Sequence, residues 1–404
     1  MAPTVDPSQK THPVPWWNAV GLPCLFLWVS MINLTLIVAG LRELILDELG
    51  GTEADASLFF SIEAMAYILF APLWGMVSDS IGRRRPLVVL GFLFSALIYA
   101  SYTFVQDIDR LLLLRFFQGA FTVMGWSTLM ARVLDHPDEA RRGRNMGLMG
   151  ASLSLGVALG VPLGGYVSRA FGPRAPLEAA AVLFLLLAFG SLALRDHAQL
   201  RERVKVVEIW STLFRRPRLL LPAGFYFVDR YTVGFFVVLF PMYLGAQGVA
   251  DPSVRGRYLA LFLLPFALLQ VLSGRLTERV GPFKPLLLGS LLYGLVLCTV
   301  GYSNLHDLWW VMAMLGVLAS VMFPPAIVLT ARWSDKSTYG SAMGAFNLAG
   351  SLGFAIGPMV GIWAYQWKGF GFSFLVAGGF EILAAILGAL WLHRFGASAD
   401  GVNS

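Results

Sequence analysis

An all-α, polytopic membrane protein with twelve transmembrane helices is the fold class this sequence predicts, and three observations carry the prediction. Of 404 residues, 57% are hydrophobic and only 13% charged, too little polar side chain to cover a water-soluble protein of this size. Apolar runs of the roughly 20 residues needed to cross hydrocarbon recur along the chain, and the run from Leu308 to Ala331 holds no charge at all. The runs are continuous rather than alternating over about ten residues, so they read as helices, which satisfy their backbone amides internally.

In order, the first six spans are expected at 16–41, 56–78, 86–106, 111–131, 145–168 and 175–194. The segment before them is polar and lacks a short apolar core with a small-residue cleavage site, so the first helix is expected to be retained. Six more spans are expected at 219–246, 256–277, 285–305, 308–331, 338–365 and 370–392, with Pro324-Pro325 expected to break the tenth. The organisation is then an N-terminal six-helix half (1–194), a linker (195–218) and a C-terminal half (219–404). Within the linker Val204, Val207, Trp210, Leu213 and Phe214 recur at near-helical spacing among arginines, which predicts an amphipathic helix on the membrane surface.

Charge sets the orientation. Placing loops on alternate sides puts 21 Lys and Arg on the side of the N-terminus, 7 on the other and 2, Arg115 and Arg230, within spans. That bias places both termini in the cytoplasm and implies a multi-pass protein of the plasma (inner) membrane. The net charge of +6 therefore reports topology. Nucleic-acid binding would require a soluble basic face, and there is none.

Several chemistries are excluded. Cys24 and Cys298 both fall within predicted spans, so neither a disulfide framework nor a thiol metal site is expected. The five histidines lie in loops or at span ends with no ligand spacing and no neighbouring nucleophile, so neither a metal nor an enzymatic site is expected. No Gly-x4-Gly-Lys-Ser/Thr loop is present, so no nucleotide cofactor is expected.

The chain repeats itself. An offset of 199 residues lays Gly274, Glu278, Gly281 and Pro285 on Gly75, Asp79, Gly82 and Pro86, and an offset of 197 superposes the glycines of 344–361 on those of 147–164. Gly119 likewise meets Gly316. Two similar six-helix halves in the same orientation imply a parallel repeat with a path between them.

The pattern Gly75-x3-Asp79-x2-Gly82-Arg83-Arg84, echoed in the second half, resembles the signature of the major facilitator superfamily. Two further stretches are similar to motifs of that superfamily: Arg115 to Gly119, and the glycine-rich run Gly156 to Gly165, the counterpart of Gly-Pro-x-x-Gly-Gly in its drug/proton antiporters. The second departs from their Gly-Pro-x-x-Gly-Gly by one residue, since Pro162 is displaced, and Gly357-Pro358 stands in span eleven instead. The resemblance implies alternating access. It also implies a gate in which Asp79 meets the start of span eleven, near Thr338 to Ser341, and Glu278 the start of span five, near Gly143 to Asn145. Gly75 would admit a neighbouring helix, Gly82 a tight turn, and Arg83 and Arg84 would hold the loop on the cytoplasmic side.

Ionisable residues within spans are functional candidates because hydrocarbon penalises them: Glu63, Arg115, Asp229, Arg230 and Glu381. A buried carboxylate resists ionisation unless paired, so Arg115 with Glu63 or with Asp229 is the expected proton-coupling pair. Arg230 is rotated about 100° from Asp229, and both could instead be paired with other helices as a lock. Glu381 is expected in a buried partner contact. Spans one, four, seven and ten line the cavity in the family resembled, which implies lining by Asn33, Gln118, Trp126, Tyr226, Phe227, Tyr231 and Phe323. A mostly apolar cavity with one or two charges suits an amphipathic organic molecule. The leading expectation is a monomeric secondary transporter, exchanging protons for a drug-like small molecule across the bilayer. Uptake or flipping of a metabolite, organic anion or lysolipid, anchored by Arg115 or Arg230, is the alternative; a receptor or scaffold on this fold is a third.

Overall fold

The computed structural model describes residues 15–134, 142–196, 216–334 and 339–395. The surface helix expected within the linker lies outside the described residues. So do Thr338 and the side chain of Asp79.

Apolar length decides the elements. The first helix, α1 (Leu22–Leu36), is extended at both ends by the turns Trp17–Gly21 and Val38–Gly40. The others of the first set are α2 (Glu53–Ile81), α3 (Arg85–Ser101), α4 (Ile108–Leu134), α5 (Arg142–Phe171) and α6 (Ala175–Ser191). The second set comprises α7 (Leu220–Ala246), α8 (Pro252–Val280), α9 (Phe283–Thr299) and α10 (Leu305–Arg332). It ends in Tyr339–Phe395, broken at Lys368 and Gly369 into α11 (339–367) and α12 (370–395). By length and apolarity alone nine stretches among the described residues can cross a bilayer, and one of these, Ser341–Arg394, contains both α11 and α12. The remaining two crossings are α6, only 17 residues long, and α4, which carries Asp109, Arg110, Arg115 and Arg132.

Local chemistry fixes the ends. Thr52 and Asp55 cap α2 reciprocally, Thr52 Oγ1 accepting from Asp55 N (3.3 Å) and Asp55 Oδ2 from Thr52 N (2.7 Å). Asn304 caps α10 by accepting from Asp307 N at 2.9 Å. Gly82 and Gly281 close α2 and α8 with φ of +67° and +80°, a conformation that side chains with a Cβ rarely adopt. Pro324-Pro325 do not break α10, which runs from Leu305 to Arg332 as one helix, contrary to expectation. Within a membrane bundle, neighbouring helices and hydroxyl side chains tolerate the missing backbone donors.

The two sets pack alike. Helix α1 lies on α5, α2 on α4, and α3 on both α4 and α6; α7 lies on α11, α8 on α10, and α9 on both α10 and α12. The sets meet through α5 against α8 and α2 against α11, where Ser61 Oγ donates to Ala355 O at 2.7 Å. Matching glycines make the matching contacts. Gly156, Gly160 and Gly164 sit directly on Trp28, Ile32 and Leu36, while Gly353, Gly357 and Gly361 sit on Phe227, Tyr231 and Phe235. Gly119 lies on the backbone of Glu63, and Gly316 on that of Phe262. In each case a Cβ would collide with the facing helix, so glycine is what allows the approach.

The outer helices turn leucines outward, as at Leu97, Leu186, Leu288 and Leu387, all more than half exposed. A continuous apolar belt of this kind is a lipid-facing surface, and the protein is an integral, multi-pass membrane protein.

Candidate functional site

Two clusters of buried charge, one in each half, hold the ionisable residues expected within the spans. In the first, Arg115 of α4 and Glu63 of α2 are both fully buried, with Arg115 Nη2 2.6 Å from Glu63 Oε2. The remaining donors of the guanidinium reach Phe59 O (3.2 Å), Tyr99 Oη (3.3 Å) and Gln118 Oε1 (2.7 Å). Glu63 Oε1 accepts from Tyr67 Oη (2.7 Å) and Gln118 Nε2 (3.2 Å), and Gln118 passes a second bond to Thr122. The Phe59 ring lies beneath the guanidinium, 4.0 Å from its carbon. Of the two partners expected for Arg115, the structure selects Glu63, not Asp229.

Gln118 therefore belongs to this network and does not line a cavity, a correction to the sequence reading. Its helical face is shared with Arg115, and a buried guanidinium requires the carboxylate on α2, so the whole face turns that way. Trp126 is half-buried with its ring edge-on to Tyr67, at the rim of the same network.

In the second half, Asp229 and Arg230 pair with each other, not with other helices. Asp229 Oδ2 accepts from Arg230 Nε at 2.8 Å and lies 2.7 Å from Nη2. The Cα positions diverge, as a helix demands, but the long arginine folds back. Its guanidinium lies between the rings of Tyr226 (5.3 Å), Phe323 (5.5 Å) and Phe266 (5.8 Å). Asp229 opens onto a narrow crevice lined by Phe225, Tyr226, Leu286, Met322, Phe323 and Ala326. Tyr226 is held flat against Phe346 of α11, with ring centroids 4.0 Å apart and planes 2° from parallel.

The other expected lining residues separate. Tyr231 is buried against Phe380 of α12 rather than facing a cavity, because its carbonyl side is occupied by Gly357 of α11. Phe227 is half-buried, with Gly353 on its backbone. Asn33 is buried on α1, and neither amide atom has a hydrogen-bond partner among the described residues.

The two faces of the bundle differ. At the face opposite the chain ends the halves are bolted together. Fully buried Arg255 of α8 binds Glu43, and Arg169 of α5 lies 3.2 Å from Asp251. Gly165 and Gly256 seal α5 to α8 there. Towards the chain ends, Gly75, Gly147, Gly150, Gly224 and Gly274 have no atom of the described residues within 4 Å of where a Cβ would stand. The close approach expected at Gly75 is therefore not made in this state. Glu278 is exposed, and Asn145, its expected neighbour, accepts from Trp16 Nε1 at 3.1 Å instead. Among the described residues, the ion pairs that join the two halves stand at the face opposite the chain ends, and the glycines towards the chain ends have open space beside them.

In the signature loop, Arg83 is exposed while Arg84 is buried, with Nη1 donating to Ser78 Oγ at 3.1 Å. Asp196, which the sequence reading left in the linker, accepts from the backbone N–H groups of Arg84 (3.1 Å) and Arg85 (2.8 Å). Glu43 and Arg255 carry no mark in the sequence. Nothing in their local pattern distinguishes a buried pair 212 residues apart from two solvated ends.

This architecture has known counterparts. The chain is 26% identical to the rat chromaffin granule amine transporter over 355 residues, covering 82% of this chain and 64% of that protein. It thus spans less than two thirds of the length of that relative. It is 23% identical to the class E tetracycline resistance protein of Escherichia coli, covering 92% of this chain and 94% of the relative. Among solved structures, a bacterial homologue of the human lysosomal transporter Spinster superposes with a TM-score of 0.79 at 14% identity, covering 94% and 97% of the two chains. The human organic anion transporter MFSD10 superposes with a TM-score of 0.69 at 20% identity, covering 93% and 99%. The Major Facilitator Superfamily profile matches residues 24–256 and 223–397, one stretch over each of the two glycine-matched halves. Repeat, packing and profile agree, and the chain belongs to the Major Facilitator Superfamily.

Proposed function

We propose that the protein is a secondary transporter that exchanges protons for an amphipathic, drug-like organic molecule by alternating access. One observation carries the reading. The Asp229–Arg230 pair stands near the middle of α7, beside a crevice of aromatic and aliphatic side chains. Protonating Asp229 cancels its hold on Arg230, so the pair is a charge switch at the wall of an apolar crevice. The Glu63–Arg115 network lacks that freedom, because hydrogen bonds already surround it, and we assign it to holding α2, α3 and α4 together.

Support comes also from the relatives, which include amine transporters and a tetracycline resistance protein. The test is proton movement driven by cargo in proteoliposomes. Asp229→Asn should abolish the coupled proton flux while cargo still exchanges down its own gradient. An unchanged proton flux in that variant would overturn the assignment.

A second reading is transport of an organic anion. The Arg230 side chain is 22% exposed and that of Asp229 only 7%, so the cation is the more accessible member of the pair. A thermal-shift panel of cationic drugs, organic anions and lysolipids separates the two. Stabilisation by cations alone supports the first reading, and by anions alone the second.

A further inference from the structure

The two arginines of the spans are held by different means. Arg115 is fully buried, and its guanidinium donates to Phe59 O, Tyr99 Oη, Gln118 Oε1 and Glu63 Oε2. Among the described residues Arg230 makes a single hydrogen bond, from Nε to Asp229 Oδ2 at 2.8 Å, and its Nη2 has no hydrogen-bond partner although it lies 2.7 Å from the same oxygen. Aromatic rings supply the other contacts. The guanidinium carbon lies 5.3 Å from the ring centre of Tyr226 on its own helix, 5.5 Å from that of Phe323 on α10 and 5.8 Å from that of Phe266 on α8.

One carboxylate and three aromatic rings recognise positive charge without fixing its shape. A full set of hydrogen-bond acceptors, as around Arg115, selects a guanidinium fork; ring quadrupoles attract ammonium and guanidinium groups alike. The cage has walls of its own. Tyr226 is stacked flat on Phe346 of α11, and Phe266 is stacked on Phe262 of its own helix. Asp229, Tyr226 and Phe323 also line the crevice, whose other walls, Phe225, Leu286, Met322 and Ala326, are apolar. A cation seated in the cage can therefore lay its hydrocarbon in the crevice. The Arg230 side chain is 22% exposed, which leaves it an edge through which to turn away.

We propose that Arg230 is the tethered occupant of an organic-cation site, and that the cation of the cargo replaces it against Asp229, Tyr226, Phe323 and Phe266. Arg230 is then a specificity-determining residue. A cargo must hold the cage more strongly than a guanidinium already present at high effective concentration, which a neutral molecule or an anion does not do. The replacement is balanced in charge: one cation leaves the carboxylate as another arrives, so Asp229 is never left unpaired in the membrane interior. This occupancy rests on the Asp229 site of the function proposed above, and it narrows the cargo to organic cations.

The experiment is equilibrium binding of phenethylguanidinium to the full chain in lipid nanodiscs, by isothermal titration calorimetry at a fixed alkaline pH. The uncharged phenethylurea and the anion phenylacetate serve as controls. Arg230→Gln removes the tethered competitor and should tighten phenethylguanidinium binding roughly tenfold over wild type, with no gain for phenethylurea. Adding Asp229→Asn to that variant should abolish the binding, and adding Phe323→Leu should reverse part of the gain. If Arg230→Gln does not fold, Arg230→Lys keeps the charge on a more strongly hydrated group that rings hold less well, and should tighten binding roughly threefold. Unchanged, weaker or undetectable phenethylguanidinium binding in the Arg230 variant, or an equal gain for phenethylurea, overturns the proposal. Phenylacetate binding that is lost in Arg230→Gln overturns it as well and makes Arg230 an anion anchor. No gradient or flux enters the titration, so failure of the cage and failure of proton exchange are read in separate assays.

Discussion

Arg255 and Glu43 belong to different halves of the chain and bind each other at the face opposite the chain ends, with Arg255 fully buried. This pair must separate before that face can open, so it sets how strongly the structure favours its present state.

Glu43→Gln leaves the buried guanidinium of Arg255 without a carboxylate. The closed face should lose at least about 1.4 kcal/mol, a tenfold shift towards the state open on that side. Thiol labelling at Gly147→Cys, in a background without Cys24 and Cys298, measures it, because position 147 stands in open space here. Labelling should slow as the face of the chain ends closes; an unchanged rate means that the pair is not a latch.

Breaking the network around Arg115 should act on stability. Glu63→Gln leaves a fully buried cation uncompensated and should cost about 3–5 kcal/mol, read as a fall in the melting temperature in detergent. The double replacement Glu63→Leu/Arg115→Met should recover at least half of that loss. A stable Glu63→Gln variant with altered proton flux would instead return Glu63 to the coupling machinery.

Packed and unpacked glycines should respond with opposite sign. Gly160→Ala drives a Cβ into Ile32 and Thr35 of α1 and should destabilise by about 1–3 kcal/mol. Gly147→Ala and Gly274→Ala meet nothing and should stabilise this state by about 0.5–1 kcal/mol through helix propensity. The latter two should also slow exchange, since closure of that face needs the space that an added Cβ would fill. Equal melting temperatures for all three would contradict the open-face geometry.

Asn33 buries an amide that has no hydrogen-bond partner among the described residues. Asn33→Leu should therefore raise stability by about 1–3 kcal/mol, seen as a higher melting temperature without cargo. If the amide serves a ligand, cargo should then stabilise the variant less than it does the wild type.

The spans were legible because hydrocarbon leaves the backbone one solution, and the glycine repeat because close helix contact excludes side chains. Span ten shows where such local reasoning fails. Two adjacent prolines signal a break, yet packing keeps α10 whole. Gln118 and Tyr231 fail differently: helical periodicity states which residues share a face, not which neighbour the face meets. Gln118 turns to Glu63 and Tyr231 to Phe380, and both choices depend on helices distant in sequence.

By itself, then, the sequence determined a twelve-span, two-fold repeated membrane chain, through hydropathy, charge bias and matched glycines, which act locally. Only the tertiary structure decided that Arg115 takes Glu63, that Arg230 folds back on Asp229, and that Glu381 meets the hydroxyls of Ser290 and Thr232. The reason is electrostatic: the state of a buried charge depends on what lies within a few ångströms, and those neighbours come from other helices.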